Sequence, residues 1–292
     1  MKTKTGNLCA LLGVAYLSLT MMTGCYSESI TSPSGSSKAR HVETDSQNLA
    51  ASGVERLMAS TTNGEIDLTA GGSSQLSVVT RLEVRAPTQH EASEFARLVE
   101  RRAERNGDVI EIDNTYPDLP DGIEVEVTYE IVYPAGLDLV LETVNGLISI
   151  DGSTGMVTAG TVNGAITLEG RGGPFVLGAV NGTIRATIED MEESGNFSAV
   201  NGNLAVDVRG GGAPVNMTVT NGNLALTLHD AFCGRLDASM SNGPIHCAVP
   251  LGGDHGSTPY HVWGSIGSGC STPVTLRGAN GRIDVALSGT RP

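Results

Sequence analysis

The chain has 292 residues, with 18 Lys and Arg set against 32 Asp and Glu, a formal net charge of −14. An acidic balance of this size excludes nucleic acid and anionic lipid headgroups as partners, since both would be repelled. Hydrophobic residues reach an ordinary 39% but aromatics only 4%, which points to a narrow core built from Val, Ile, Leu and Ala.

Residues 1–24 read as a signal segment outside the fold. Lys2 and Lys4 open it, Leu8 to Met22 is mostly apolar, and Met22-Thr23-Gly24-Cys25 resembles a bacterial lipoprotein cleavage box, with Met where Leu is commoner. The apolar run falls short of the ~20 residues that cross a bilayer. Acylated Cys25 is then the expected mature N-terminus, tying the chain to a membrane without spanning it. Tyr26 stands where an inner-membrane retention signal would place Asp, so outer-membrane or surface location is expected. Cleavage removes two lysines and no acid, leaving 16 basic against 32 acidic side chains. Residues 25–52, rich in Ser, Thr and Gly and without apolar period, read as a flexible tether.

The ordered domain is expected over residues 53–292. It opens with Thr62-Asn63-Gly64-Glu65-Ile66-Asp67-Leu68, followed by strand-like Gln75–Val78 and Leu82–Val84. From about residue 90 to 105, Ala92, Phe95, Ala96, Leu98, Val99 and Ala103 are spaced for one apolar helical face, which predicts a short inserted helix stopped by Asn106-Gly107. Alternation resumes at Val109–Ile112 and Ile123–Val127, and Tyr129–Pro134 leads into a repeat.

Between residues 145 and 280 the dipeptide Asn-Gly occurs seven times, at Asn145, Asn163, Asn181, Asn201, Asn221, Asn242 and Asn280, with gaps of 18, 18, 20, 20, 21 and 38 residues. Each is followed by alternating apolar residues, as in Ile148/Ile150, Ile166/Leu168 and Leu204/Val206. A near-constant period with strand alternation predicts an all-β fold, a parallel β-solenoid (β-helix) with rungs of about 18–21 residues. Each rung would hold two short strands with a turn at Asn-Gly, where Gly accepts positive φ and Asn tolerates a left-handed backbone. Counting by parity places the asparagines inward, where their amides would form a structural ladder at the ~4.8 Å spacing of stacked strands.

The Thr143–Ile148 and Thr161–Ile166 segments, the predicted helix ahead of Gly107–Ile110 and the Tyr129–Pro134 entry strand together resemble a bacterial envelope family labelled putative adhesin, or toast-rack. The likeness covers about Val54 to Leu287. It implies a β-helix-like envelope protein with a role in adhesion or envelope-stress sensing, and it carries no catalytic residues. The segment Pro250–Pro273 and its cysteines depart from the pattern.

Two groups of residues invite chemistry. Asp151, Glu169, Thr187, Asp207 and Thr227 occupy one outward column, and Asp151 and Glu169 on neighbouring rungs would suit a carbohydrate-active enzyme, since paired carboxylates about 5 Å apart serve retaining glycosidases. The plainer reading is a solvated acidic face. The second group is Cys233, His246, Cys247, His255, His261, Trp263 and Cys270. It lacks Cys-x-x-Cys or His-x-x-x-His spacing, so neither metal nor cofactor is expected. Cys247 falls in an inward column. If Pro250–Pro273 is mainly a loop, Cys233 and Cys270 lie on adjacent rungs and form the candidate disulfide. If Trp263-Gly264-Ser265-Ile266 is a degenerate rung, they stand about 9–10 Å apart, beyond bridging distance. Tyr260, His261 and Trp263 are the candidate surface contacts for sugar stacking, unless the segment caps an open sheet edge. The expected role is non-enzymatic: an envelope lipoprotein presenting a rigid acidic surface to envelope proteins, glycans or neighbouring cells.

Overall fold

The structure is a computed structural model that describes residues 38–72 and 74–288. The signal segment and Cys25 lie outside the described residues. The all-β class holds: the described chain forms eighteen strands and one short helix. The repeat region is a parallel stack. Strands β8 (Asp138–Ser153), β9 (Val157–Gly172) and β10 (Phe175–Met191) pair in parallel, and β10 continues onto β11 (Gly195–Asn201) and β12 (Leu204–Val208), which pair with β13 (Val215–Leu228). In this stack asparagine meets asparagine: Asn145↔Asn163, Asn163↔Asn181, Asn181↔Asn201 and Asn201↔Asn221.

The expected pair of short strands per rung is replaced, in β8, β9, β10 and β13, by one long strand bent at Asn-Gly. The bend shifts side-chain parity. In β8 the buried positions run Leu139, Leu141 and Thr143, then resume at Ile148 and Ile150, an odd step that turns Asn145 outward. The column Ile148, Ile166, Ile184, Leu204, Leu224 and Ile283 is almost completely buried. Each such aliphatic side chain contributes roughly 1.5–3 kcal/mol, so the columns stabilise the stack without many aromatics.

Beyond β13 the spatial order departs from the chain order. β14 (Gly234–Asn242) and β15 (Ile245–Cys247) do not pair with β13; β18 (Pro273–Leu287) lies between them, with Asn221↔Asn280 on one side and Asn242↔Asn280 on the other. The 38-residue gap in the repeat holds an antiparallel hairpin, β16 (Leu251–Thr258) and β17 (His261–Ile266), and β17 pairs antiparallel with β14. Pro250–Pro273 is therefore neither a loop nor a degenerate rung. It caps the edge of β14, which an exposed sheet otherwise leaves open to other chains.

The other end is also covered. β2 (Arg56–Asn63) and β3 (Ile66–Gly71) form a rung below β8, with Asn63↔Asn145. β6 (Val109–Thr115) pairs in parallel with β2, and β7 (Glu124–Pro134) with β3. Antiparallel strands then close the margins: β4 (Gln75–Ala86) on β7, β1 (Ala39–Ala50) on β4, and β5 (Glu100–Asn106) on β6. The sheet as a whole is mixed, parallel through its middle and antiparallel at its margins, and so is not the uniformly parallel solenoid that the repeat predicts.

Two expectations are corrected here. Residues 39–50 are a strand, not part of a tether; β1 pairs along its full length with β4 but buries little apolar surface, and Arg40 and Glu43 reach Glu83 and Arg101. A strand held by backbone bonds and charge leaves no hydrophobic period to read. The inserted helix is also shorter than expected. α1 (Gln89–Ala96) begins at a Thr88/Glu91 capping box and buries Ala92, Phe95 and Ala96, whereas residues 100–106 belong to β5. Asn106 ends β5 and pairs directly with Val109, so the connection is a two-residue hairpin turn, Gly107-Asp108, with Gly107 at φ 67°.

At the corners, stacking demands glycine as well as the backbone angles do. A Cβ at Gly146, Gly164, Gly182, Gly202, Gly222, Gly281 or Gly243 would stand 1.6–1.8 Å from the carbonyl oxygen of the corner glycine on the neighbouring rung. Gly222, at φ 146°, would meet Gly202 O at 1.7 Å. Gly222→Ala is expected to cost about 2–5 kcal/mol in denaturant unfolding, from steric overlap and backbone strain together. Gly160→Ala, where a Cβ meets nothing within 4 Å, is expected to stay within about 0.5 kcal/mol of the parent.

Candidate functional site

Three surfaces stand out, and the corner is the first. Asn145 Nδ2 donates to Asn63 Oδ1 at 2.7 Å, and the same bond recurs from Asn163, Asn181, Asn201 and Asn221 to the asparagine one rung back at 2.8–2.9 Å. Asn280 donates to Asn221 at 2.8 Å and Asn242 to Asn280 at 3.0 Å. The ladder thus links eight side chains, including Asn63, in the order of the strands rather than of the chain. All the donors are exposed, so the ladder is an external seam and not the internal one that parity suggested.

The second surface holds the outward carboxylates. Asp151 and Glu169 are register partners on β8 and β9, and Thr187, Asp207 and Thr227 continue the column. Asp151 and Glu169 are exposed on extended strands and line neither cavity: the one of about 180 Å³ lies further along the same column, at Thr187, Asp207 and Thr227, and the one of about 370 Å³ lies at the β4 end. The buried Tyr133 phenol feels the Asp151 charge; burial first, and that charge second, push its pKa up to about 12.

The third surface is at the capped end. Cys233 and Cys270 precede the neighbouring strands β14 and β18 and are joined by a disulfide, with Cα atoms 5.8 Å apart. Cys247 is free and half-buried. Arg277 grips Asp237 through both guanidinium nitrogens and also donates to Ser239 Oγ at 2.9 Å. His261 Nε2 lies 2.8 Å from Asp237 Oδ1, and the His261 ring lies 4.7 Å from that of Trp263 at a 30° tilt. Arg277, and after it His261, hold Asp237 at about 2, well below its ordinary 3.8. Trp263 lies across Gly256, where a Cβ would fall 2.3 Å from the indole. Tyr260, at the hairpin tip, is 57% exposed. The structure therefore brings His261 and Trp263 onto one face, with Tyr260 at the adjoining hairpin tip, and adds Asp237, Ser239 and Arg277, which sequence reasoning missed because they come from other strands.

A buried charge cluster lies at the opposite end. Glu83 is only 3% exposed, yet Arg40, Arg81 and Arg85 all bond to it. The 370 Å³ cavity beside it is lined by Glu83, Arg85, Leu119, Ile123 and the first ladder asparagines Asn63 and Asn145. The signal for this cluster was present as Arg81-Leu82-Glu83-Val84-Arg85, opposite charges alternating on one strand face. Among the described residues no group of three His, Cys, Asp or Glu is placed to hold a metal, and no helix is long and apolar enough to cross a membrane.

No family model matches the chain, and no curated protein matches it. Solved structures do. A putative cell adhesion protein from Clostridium sporogenes shares 13% identity over 85% of this chain and 100% of its own, with a TM-score of 0.33. A putative adhesin from Parabacteroides merdae shares 10% over 84% and 95%, with a TM-score of 0.39. Another from Bacteroides fragilis shares 11% over 84% and 97%, with a TM-score of 0.34. Overlaps of this size leave function to the chain's own geometry.

Glu83 makes stability depend on acid. Its hydrogen bond to Arg40 first, then those to Arg81 and Arg85, hold its pKa at about 2 against an ordinary 4.5. The folded pKa is depressed, so this contribution is complete above about 4.5 and is lost as pH falls through about 2. Glu83→Gln is expected to cost about 3 kcal/mol at neutral pH, because three guanidiniums lose their counter-charge. Its denaturation midpoint should also fall less steeply than the parent's over that acid window, keeping the shares due to Asp237 and to Glu43, which His41 and Arg101 also hold below its ordinary value.

Proposed function

We propose that this chain is a non-enzymatic, adhesin-like protein of the cell envelope, a rigid β-solenoid anchored through a lipid on Cys25 at the outer membrane or cell surface. The observation that carries the reading is the polarity of the stack. The described chain enters at the β1 end, while the His261–Trp263 face lies beyond the last ladder asparagine at the other end. Eight asparagines stacked at about 4.8 Å separate the two ends by on the order of 30 Å. A lipid at the N-terminus would thus hold the membrane at one end and leave the aromatic face pointing away from it.

That face has the chemistry of a glycan contact. An indole flanked by an imidazole offers a flat apolar platform to the faces of sugar rings, and Asp237, Ser239 and Arg277 offer fixed acceptors and donors to their hydroxyls. Asp237 is pre-oriented by two partners, so a ligand need not order it. The acidic remainder of the surface keeps the protein soluble and repels anionic surfaces. The carbohydrate-cleaving alternative would require Asp151 and Glu169, which stand exposed on an open strand face.

Binding of the soluble domain to whole cells or to isolated cell-wall glycans is the measurement. Trp263→Ala and Arg277→Ala should each weaken it about tenfold or more, as loss of an aromatic or arginine anchor does. Asp151→Ala/Glu169→Ala should leave it unchanged. Loss of binding in the carboxylate double variant with folding preserved, or full binding in both end-face variants, would overturn the proposal.

A further inference from the structure

Nine Asn-Gly dipeptides occur in this chain: the eight of the ladder and Asn106-Gly107. Asn-Gly is the dipeptide most open to spontaneous loss of the side-chain amide, because glycine does not shield its own backbone nitrogen. The reaction needs that nitrogen to reach the asparagine side-chain carbonyl carbon. The Gly nitrogen, having given its proton to water or hydroxide, forms a bond to that carbon. The carbon–Nδ2 bond then breaks, and ammonia departs after taking a proton from water. The resulting succinimide adds water at either ring carbonyl, giving aspartate or isoaspartate. The sum is asparagine plus water to acid plus ammonia, with no other reactant.

The ladder opposes each part of this step. Six of its eight side chains take part in two amide–amide bonds, one given and one accepted, and the terminal Asn63 and Asn242 in one each. Asn63 also donates to Val125 O at 3.4 Å. The nucleophile is tied as well: Gly64 N donates to Asn145 O at 3.0 Å, and Gly202 N to Asn221 O at 2.9 Å. Rotating an asparagine toward its glycine therefore breaks bonds on two rungs. Such rearrangement requires opening the stack, which draws on the stability of the core columns.

Asn106 and Gly107 stand apart from that column. Both are exposed, Asn106 ending β5 and Gly107 opening the two-residue turn, and β5 pairs with no strand other than β6. The turn is held from outside by Arg105, which donates to Gly107 O and Ala50 O, and by Asp108 O, which accepts from Glu55 N and Arg56 N. Opening it breaks these few bonds and no stacked column, so it costs less than opening the ladder. We propose that Asn106 is a self-modifying site: in the folded protein it converts to aspartate and isoaspartate while the ladder asparagines, in the same dipeptide, are spared. Isoaspartate routes the main chain through the side chain and adds a methylene to it, so the modified tip cannot keep the Asn106↔Val109 and Arg105↔Ile110 register of β5 on β6. This site is independent of the proposed glycan face.

The test is site-resolved conversion, followed by peptide mass mapping after incubating the folded protein at mildly alkaline pH. A parallel sample is unfolded in denaturant with its disulfide reduced. Dividing each folded rate by the unfolded rate of the same site cancels differences between neighbouring residues. The ratio at Asn106 is expected to exceed that at every ladder asparagine by at least about tenfold, which about 1.4 kcal/mol of additional opening free energy supplies. Asn106→Gln should remove the fast-converting peptide and leave the other eight as they were. A ladder asparagine converting in the folded protein at a ratio equal to that of Asn106 would overturn the proposal. So would an Asn106 protected to the same degree as the ladder.

Discussion

The close approach of backbone to backbone at the Asn-Gly corner is the constraint on which the rest depends. The corner glycine of one rung sits with its α-carbon against the carbonyl oxygen of the next, leaving no volume for a side chain. That contact sets the height between rungs at the corner. It also brings successive asparagines to amide hydrogen-bonding distance, and it keeps isoleucines and leucines of neighbouring strands in register inside. Glycine is thus required by the neighbour above as much as by its own dihedral angles. Asparagine is suited to the adjacent position because its amide both donates and accepts, so a column of identical residues satisfies itself. Serine or aspartate would not repeat in that way.

A stack built on one repeated contact is quasi-one-dimensional, and each rung depends on its two neighbours. The ends are where such an arrangement is vulnerable, and where this chain changes its pattern. At one end β4 runs antiparallel to both β1 and β7; at the other, the β16–β17 hairpin lies along β14. Charge clusters accompany these margins, one centred on a buried carboxylate and one half-exposed. Glu83 with its three arginines lies on β4, and Asp237 with Arg277 lies on β14 and β18. Where the apolar columns thin out, charge-assisted hydrogen bonds take over the task of fixing register.

The middle of this fold was legible from the sequence because its cause is local and periodic. The Asn-Gly spacing and the alternation after it are set by the rung, and the buried columns such as Ile166, Ile184 and Leu204 could be listed from the pattern. The margins were less legible for physical reasons. β1 is fixed by backbone pairing and ion pairs, so it shares the polar composition of a linker. Glu100–Asn106 continues an apolar helical spacing begun by α1, but pairing with β6 outweighs it. Asn145 was assigned inward by counting in twos, a rule that fails where the strand bends. At the candidate site, Tyr260, His261 and Trp263 were readable as neighbours in the chain. Asp237 and Arg277 were not, since their meeting depends on where the last strand inserts.

That insertion of β18 has a consequence for how the molecule is made. β18 follows β14 in the chain yet lies between β13 and β14 in the stack. The rung of β14 and β15 therefore cannot settle onto β13 and must be held in reserve until β18 has been made and can wedge beneath it. Everything earlier can accrete rung by rung as the chain emerges, but the far tip waits for β18. A chain cut short before β18 would thus leave a stalk of normal construction with its outermost end unassembled.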